Sequence, residues 1–239
     1  MEFYSQIVQA YDAIFPLNEK QLDFVEGALG GRLLSKSILD IGCGTGSLSI
    51  AMGRRSAKVR SFDFDEQMIR KAEEKRPQAL DVRFQQGDMR QIDQLYPGIS
   101  YDAVLCFGNT LVHLSSIDEV EDVFKQVANR LVDGGKFLLQ IVNYDRVIKD
   151  MVDALPTIET DKYTFVRNYI HRPDGNIDFN TILSFDNQCI ENTVTLLALK
   201  RADIEELLLK YFRNVTSYGA FNGDKWSEQS FHLVVEAEK

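Results

Sequence analysis

The chain has 239 residues, 44% of them hydrophobic, with 36 acidic against 27 basic side chains and a formal net charge of -9. That is enough apolar material for one sizeable core, and the acidic balance speaks against a broad polyanion-binding surface, so nucleic acid is not an expected partner. Cys43, Cys106 and Cys189 are scattered with no CxxC pair, and the three histidines lie far apart. This disfavours a disulfide framework or a structural zinc site, predicts no metal, and fits the reducing cytoplasm. The N-terminal MEFYSQIVQAYD is not built like a signal peptide, and no stretch is long and apolar enough to span a membrane.

In chain order, residues 1–35 read as a helical cap. FYSQIVQAYDAIF carries apolar residues at helical spacing until Pro16, and a second helix is expected over Gln21–Leu29, ahead of Gly30 and Gly31. A strand–helix rhythm follows. SILDI (37–41), VRSFDF (59–64), VRFQQ (82–86), DAVLCF (102–107) and KFLLQIV (136–142) read as strands. Helices are expected at Thr45–Met52, Glu66–Lys75 and Ile117–Leu131, the last stopped by Gly134 and Gly135. Such alternation predicts a parallel sheet covered on both faces, with ligands outside the carboxyl ends of its strands. The rhythm then changes. YTFVRNYI (163–170), NIDFNTILSF (176–185) and CIENTVTLLAL (189–199) look like consecutive antiparallel strands, an insertion placed within residues 146–200. A helix over Ala202–Tyr211 and strands at 214–219 and 231–237 complete the chain. The expected fold is one α/β domain over residues 1–239: a Rossmann-like, seven-stranded, mostly parallel sheet with helices on both faces. Its last strand is antiparallel, and it carries an N-terminal helical cap and a small antiparallel β insertion.

The chemistry-bearing residues sit at successive strand ends. Gly42, Gly44 and Gly46 follow the first strand at a spacing of two, where the absence of a Cβ permits a sharp turn and close approach of a ligand. Asp63 ends the second strand, where a carboxylate can accept two hydrogen bonds from a ribose diol, while Asp65 fits a helix N-cap. Asp88 follows the third strand. A dinucleotide enzyme usually shows GxGxxG, but this loop is GxGxG and is preceded by Asp40. Extra carboxylates suit a cationic ligand better than a pyrophosphate.

The residues ILDIGCGTG, FDFDEQMIRKA, GDMR and YDAVLCFGNTLVHL, in this order, resemble the class I S-adenosylmethionine-dependent methyltransferases. LCFGNTLVHL followed by NYD at 143–145 is similar to small-molecule N-methyltransferases of the glycine/sarcosine type. The resemblance implies a cofactor, S-adenosyl-L-methionine, and a place for each motif residue. Gly42, Cys43, Gly44 and Gly46 would line its methionine part, Asp63 would grip the ribose, and Phe64 and Met68 would lie against the adenine. Asp88 would meet the adenine amino group, Met89 would pack on the ring, and Phe107 and Gly108 would offer backbone groups to the ammonium. Tyr11 would close over the cofactor and Tyr4 over the substrate. His113, Asn109 and Tyr144 are the candidate catalytic residues; Asn109, Thr110, His113, Arg167 and Tyr169 are the candidate acceptor contacts. The glycine-type enzymes carry an arginine just before Asn-Tyr-Asp to hold a carboxylate, and here that position is Val142, so Arg167 or Arg172 would have to substitute.

The implied activity is methyl transfer to a nitrogen or oxygen of a small-molecule acceptor by in-line displacement, which needs alignment and a dry site but no nucleophilic side chain. The alternatives are a protein or RNA methyltransferase, a non-catalytic S-adenosylmethionine-binding module and, more remotely, a dehydrogenase. A cytoplasmic location, no membrane contact and a homodimer are compatible with this reading.

Overall fold

The computed structural model describes residues 7–239. After a turn at residues 8–10 come two helices, α1 (Tyr11–Ile14) and α2 (Glu19–Ala28), the second capped by the Asn18 side chain accepting from the Lys20 N–H. The expected Tyr4 contact lies outside the described residues.

The central sheet contains β1 (Ser37–Ile41), β2 (Lys58–Asp63), β3 (Val82–Gln86), β4 (Tyr101–Cys106), β5 (Leu131–Val142), β10 (Asn214–Tyr218) and β11 (His232–Glu238). Its order is β10-β11-β5-β4-β1-β2-β3. Strands β1 to β5 pair in parallel, and β11 runs antiparallel to both β5 and β10. Order reverses at β1, which leaves a crevice beyond the carboxyl ends of β1 and β4. Ile38, Leu39, Ile41, Val104, Leu105 and Cys106 are buried because helices cover both faces.

Those helices are α3 (Ser47–Arg54), α4 (Glu66–Lys75) and α5 (Ile117–Arg130). In α5, Val120, Val123, Phe124 and Val127 form the apolar stripe, and Phe124 meets Phe137 with ring centroids 5.7 Å apart. The Ser116 hydroxyl accepts the Glu119 N–H, and the Glu119 carboxylate accepts the Ser115 N–H, a reciprocal cap that fixes where the helix starts.

Gly134 and Gly135 do not stop this helix. It ends at Arg130 and β5 begins directly at Leu131, so both glycines lie inside a strand. Leu131 pairs with Tyr101 and Lys136 with Ala103, and the register shifts between those pairs. Gly134 has φ +73°, and a Cβ on Gly135 would come 2.9 Å from the Val132 carbonyl. The pair therefore serves a bulge.

The insertion is a separate sheet of four strands, β6 (Ala154–Glu159), β7 (Thr164–His171), β8 (Ile177–Phe185) and β9 (Gln188–Leu196), antiparallel in that order. The sequence pointed to three. Strand β6 was hidden by Pro156, which is tolerated because β6 is an edge strand. Phe165 and Leu183 pack with Ile7, Val8 and Met68, while Tyr169, Ile177 and Leu196 join the main core. Helices α6 (Tyr144–Lys149) and α7 (Arg201–Leu208) link this sheet to the large one. It thus roofs the crevice. Among the described residues no helix is long and apolar enough to cross a membrane.

Candidate active site at the carboxyl ends of the parallel strands

The loop after β1 is held from below by the Phe62 carbonyl, which accepts from the Gly42 and Cys43 N–H groups at 2.9 and 3.1 Å. Gly42, Gly44 and Gly46 have φ of +69°, +53° and +75°, a region that penalises any residue with a side chain. Two of them are also crowded by protein: a Cβ on Gly42 would lie 2.5 Å from Thr110, and one on Gly46 would lie 2.5 Å from Phe84. Gly44 faces Tyr11, whose ring would stand 3.0 Å from a Cβ at that position.

Asp63 reaches this loop from the end of β2. One carboxylate oxygen accepts the Gly44 N–H at 2.8 Å and the other accepts the Asp65 N–H at 3.0 Å. Each oxygen keeps lone-pair capacity for a further donor. Burial pushes Asp63 up to about 6 against those backbone bonds, and nearby Asp40 is pushed up to about 7, chiefly by burial, with the Ser49 hydroxyl bond opposing and Asp63 adding repulsion. Two carboxylates held this expensively beside a turn of positive-φ glycines suit a polyol with an adjoining cation. Asp65 caps α4 through the Gln67 and Met68 N–H groups, as its position in the sequence predicted.

Two adjoining cavities open above these strand ends. The smaller, about 160 Å³, is lined by Gly42, Gly44, Asp63, Phe64, Met68, Asp88, Met89, Phe107, Gly108 and Thr110, so most of the expected cofactor residues converge on it. Phe64 is 44% exposed there, a large aromatic left uncovered by protein. Asp88 caps the following turn through the Arg90 N–H, and the Arg90 side chain, bonded to both its oxygens, holds it below the usual carboxylate range. The Gly108 N–H is taken by the Gln140 side chain at 2.9 Å, and the Phe107 carbonyl accepts from the Thr110 hydroxyl at 2.8 Å. Thr110 therefore stands on the glycine-loop side, against Gly42.

The larger cavity, about 620 Å³, shares Tyr11, Gly42, Phe107, Gly108 and His113 with the first and adds Cys43, Asn109, Arg167 and Tyr169. Asn109, at φ +67°, accepts the Val142 N–H and donates to the Tyr144 hydroxyl. Tyr144 is fully buried and lines neither cavity. Both side chains thus brace the ends of β4 and β5. His113 lines both cavities, and burial lowers it to about 4, so its imidazole is neutral at physiological pH.

Sequence reasoning missed Gln140, His232, Phe165, Phe179 and Phe231, which also line the larger cavity. Because the Gln140 carbonyl oxygen is occupied by the Gly108 N–H, its amide nitrogen faces His232 Nδ1 at 3.1 Å. An amide nitrogen only donates, so His232 Nδ1 accepts and the proton of the neutral ring sits on Nε2. Nothing local in the sequence marks these residues, since they come from β5, the second sheet and the start of the last strand with the residue before it.

Residues 38–135 match the family model described as a methyltransferase domain. That segment is a S-adenosylmethionine-dependent methyltransferase domain. The chain is 27% identical over 170 residues, 68% of its length, to a putative methyltransferase of Geobacillus sp. (strain WCH70). It is 30% identical over 122 residues, 46% of the chain, to glycine N-methyltransferase of Rattus norvegicus. The aligned parts span 67% and 42% of those two proteins. In fold it is similar to a S-adenosylmethionine-dependent methyltransferase from Clostridium acetobutylicum, with a TM-score of 0.81, 19% identity and 98% of each chain covered.

One feature of this methyltransferase is a polar latch on the cap. Lys75 of α4 donates to Asp12 at 2.7 Å, Thr45 at 3.1 Å and Ser47 at 2.8 Å, and Asp12 also accepts from the Thr45 and Ser47 hydroxyls. Burial alone would raise Asp12, but the bonds from Lys75, Thr45 and Ser47 outweigh it and hold it below its ordinary value. This network binds α1 to the glycine loop and places Tyr11 over Gly44. Asp12→Ala is expected to speed S-adenosylhomocysteine release by about fivefold, the effect of a partly exposed network worth on the order of 1 kcal/mol. Stopped-flow displacement checks this; an unchanged release rate would show that the cap does not restrain the ligand.

Proposed function

We propose that the protein transfers a methyl group from S-adenosylmethionine to a nitrogen or oxygen of a small molecule held in the larger cavity. The observation that carries this is the continuity of the two cavities through Gly42, Phe107, Gly108 and His113, under a roof formed by the second sheet. A roofed cavity of this size accommodates a small acceptor and shields it from water. The glycine cradle, the Asp63 carboxylate and the uncovered Phe64 ring fit the nucleoside and amino-acid parts of the cofactor. S-adenosylmethionine supplies a methyl group already bonded to a good leaving sulfur.

The protein's own contribution is alignment and exclusion of water, worth roughly 7–11 kcal/mol in well-oriented systems. Asp63 and the glycine loop fix one reactant, and the aromatic lining with His113 orients the other. A neutral His113 accepts a hydrogen bond from an acceptor hydroxyl or a neutral amine N–H, whose lone pair attacks the methyl carbon, and receives that proton as the new bond forms; burial makes this imidazole a weak base. His232, with its proton on Nε2 and Gln140 on Nδ1, orients an acceptor oxygen and is not the base.

Calorimetric titration with S-adenosylmethionine, S-adenosylhomocysteine and NAD tests the reading. Saturable micromolar binding of both sulfur compounds and none of NAD is expected; failure of both to bind overturns it.

A further inference from the structure

Resting on the methyltransferase reading above, we infer that the acceptor carries an oxyanion, a carboxylate or a phosphate ester, and that Arg167 of β7 is its anchor. Many arginines of the described chain have carboxylate partners, among them Arg60 with Asp81, Arg70 with Glu66, Arg76 with Glu73 and Arg90 with Asp88. Arg172, the alternative that the sequence left open, is spent on Asp174 and Asp178. Arg130 shows how this protein buries a structural guanidinium: its nitrogens donate to the carbonyls of Ile92, Leu95, Tyr96 and Ile99.

Arg167 is treated differently. It lines the larger cavity, its Nη2 donates to the Pro156 carbonyl, and its Nε is buried with no hydrogen-bond partner. No carboxylate of the described residues lies within ion-pair distance of it. A second guanidinium, that of Arg146, sits 5.2 Å from the centre of the Phe231 ring, and its Nε is likewise buried and unpaired. Phe231 lines the same cavity. Tyr169, two residues from Arg167 on the same strand face, feels both cations.

A partly buried cation without a counter-ion is costly, and a planar fork with a free Nε–H suits an oxyanion. The carboxylate among the lining residues is Asp40, at the glycine-loop end rather than beside Arg167. Phe165, Phe179 and Phe231 also line the cavity, and their rings suit an apolar or aromatic body. The cavity thus carries one carboxylate, Asp40, beside the glycine loop and one guanidinium, Arg167, on the second sheet. An acceptor with an anionic tail is drawn in with its other end toward the cofactor.

The test uses protein preloaded with S-adenosylhomocysteine. Benzoate and phenyl phosphate are titrated beside their uncharged counterparts benzamide and phenol, into wild type, Arg167→Gln, Arg167→Lys and Arg172→Gln. At least one oxyanion should bind tenfold or more tighter than its counterpart, and which one does so separates a carboxylate acceptor from a phosphate ester. Arg167→Gln should abolish that preference, Arg167→Lys should keep part of it, and Arg172→Gln should match wild type. Equal binding of charged and uncharged compounds, no binding of either oxyanion, or a preference that survives in Arg167→Gln overturns the inference. Failure at the preloading step instead overturns the methyltransferase reading, and this inference with it.

Discussion

Asp63→Ala is expected to weaken S-adenosylmethionine binding about 100-fold or more. The carboxylate already organises the glycine loop by accepting the Gly44 and Asp65 N–H groups. Its remaining lone pairs accept from a ribose diol, and two charge-assisted bonds contribute roughly 3–5 kcal/mol in a partly buried site. The loss should not come from unfolding. At neutral pH the ligand-free protein bears the cost of an ionised, buried Asp63, so the alanine variant should melt within a few degrees of wild type. Affinity unchanged within threefold would show that the ribose is held elsewhere.

The same residue sets a pH dependence. Asp63 is raised to about 6 in the free protein, chiefly by burial, and Asp40 to about 7. The cofactor favours the ionised carboxylates, since it brings hydroxyl donors and positive charge. Binding therefore lowers both pKa values and releases protons between about pH 5.5 and 7.5. Affinity should be full above pH 8 and fall as pH drops through 7 and 6. The sign for stability is opposite: acids with raised folded pKa contribute stability at low pH that is lost as pH rises through 6 and 7. Calorimetry at pH 6.5 in two buffers of different ionisation enthalpy counts the protons. Proton uptake, or none, would contradict the assignment.

Gly46→Ala should destabilise the fold by roughly 2–5 kcal/mol. Its Cβ would come 2.5 Å from Phe84 and 3.0 Å from the Ala72 methyl, and its φ is +75°. Overpacking costs about 1–3 kcal/mol and a left-handed non-glycine residue about 1–2 kcal/mol more. Both neighbours are core side chains on β3 and α4, so neither can swing aside. Gly98 is the control: it also has positive φ, +77°, but nothing within 4 Å of its Cβ position, so Gly98→Ala should cost only the backbone part. Urea denaturation of both variants separates strain from crowding. Equal losses would mean that the Gly46 contact relaxes.

By itself the sequence determined the parallel half of the fold and which motif residues stand at the ends of its strands. Each strand from β1 to β4 is a short strand-forming run followed by a turn, and the motif residues sit at its last position or just beyond it. Local pattern therefore places Gly42, Asp63, Asp65 and Asp88 without knowledge of long-range contacts, because a parallel strand end fixes where its next residues go. The tertiary structure decided what lies opposite. Strand β6 was concealed by a proline that an edge position tolerates, and Gly134 with Gly135 was misplaced as a helix stop because a bulge and a helix end use the same residue. Asn109 and Tyr144 proved to brace one another, since their partners lie 35 residues apart in the chain. The larger cavity draws Gln140, Phe165, Phe179, Phe231 and His232 from β5, the second sheet and the end of the chain. Each reads locally as an ordinary strand residue. Only the packing of the second sheet over the first brings them to one side of a cavity, and only there does it matter that Arg167 has no carboxylate and Arg172 has two.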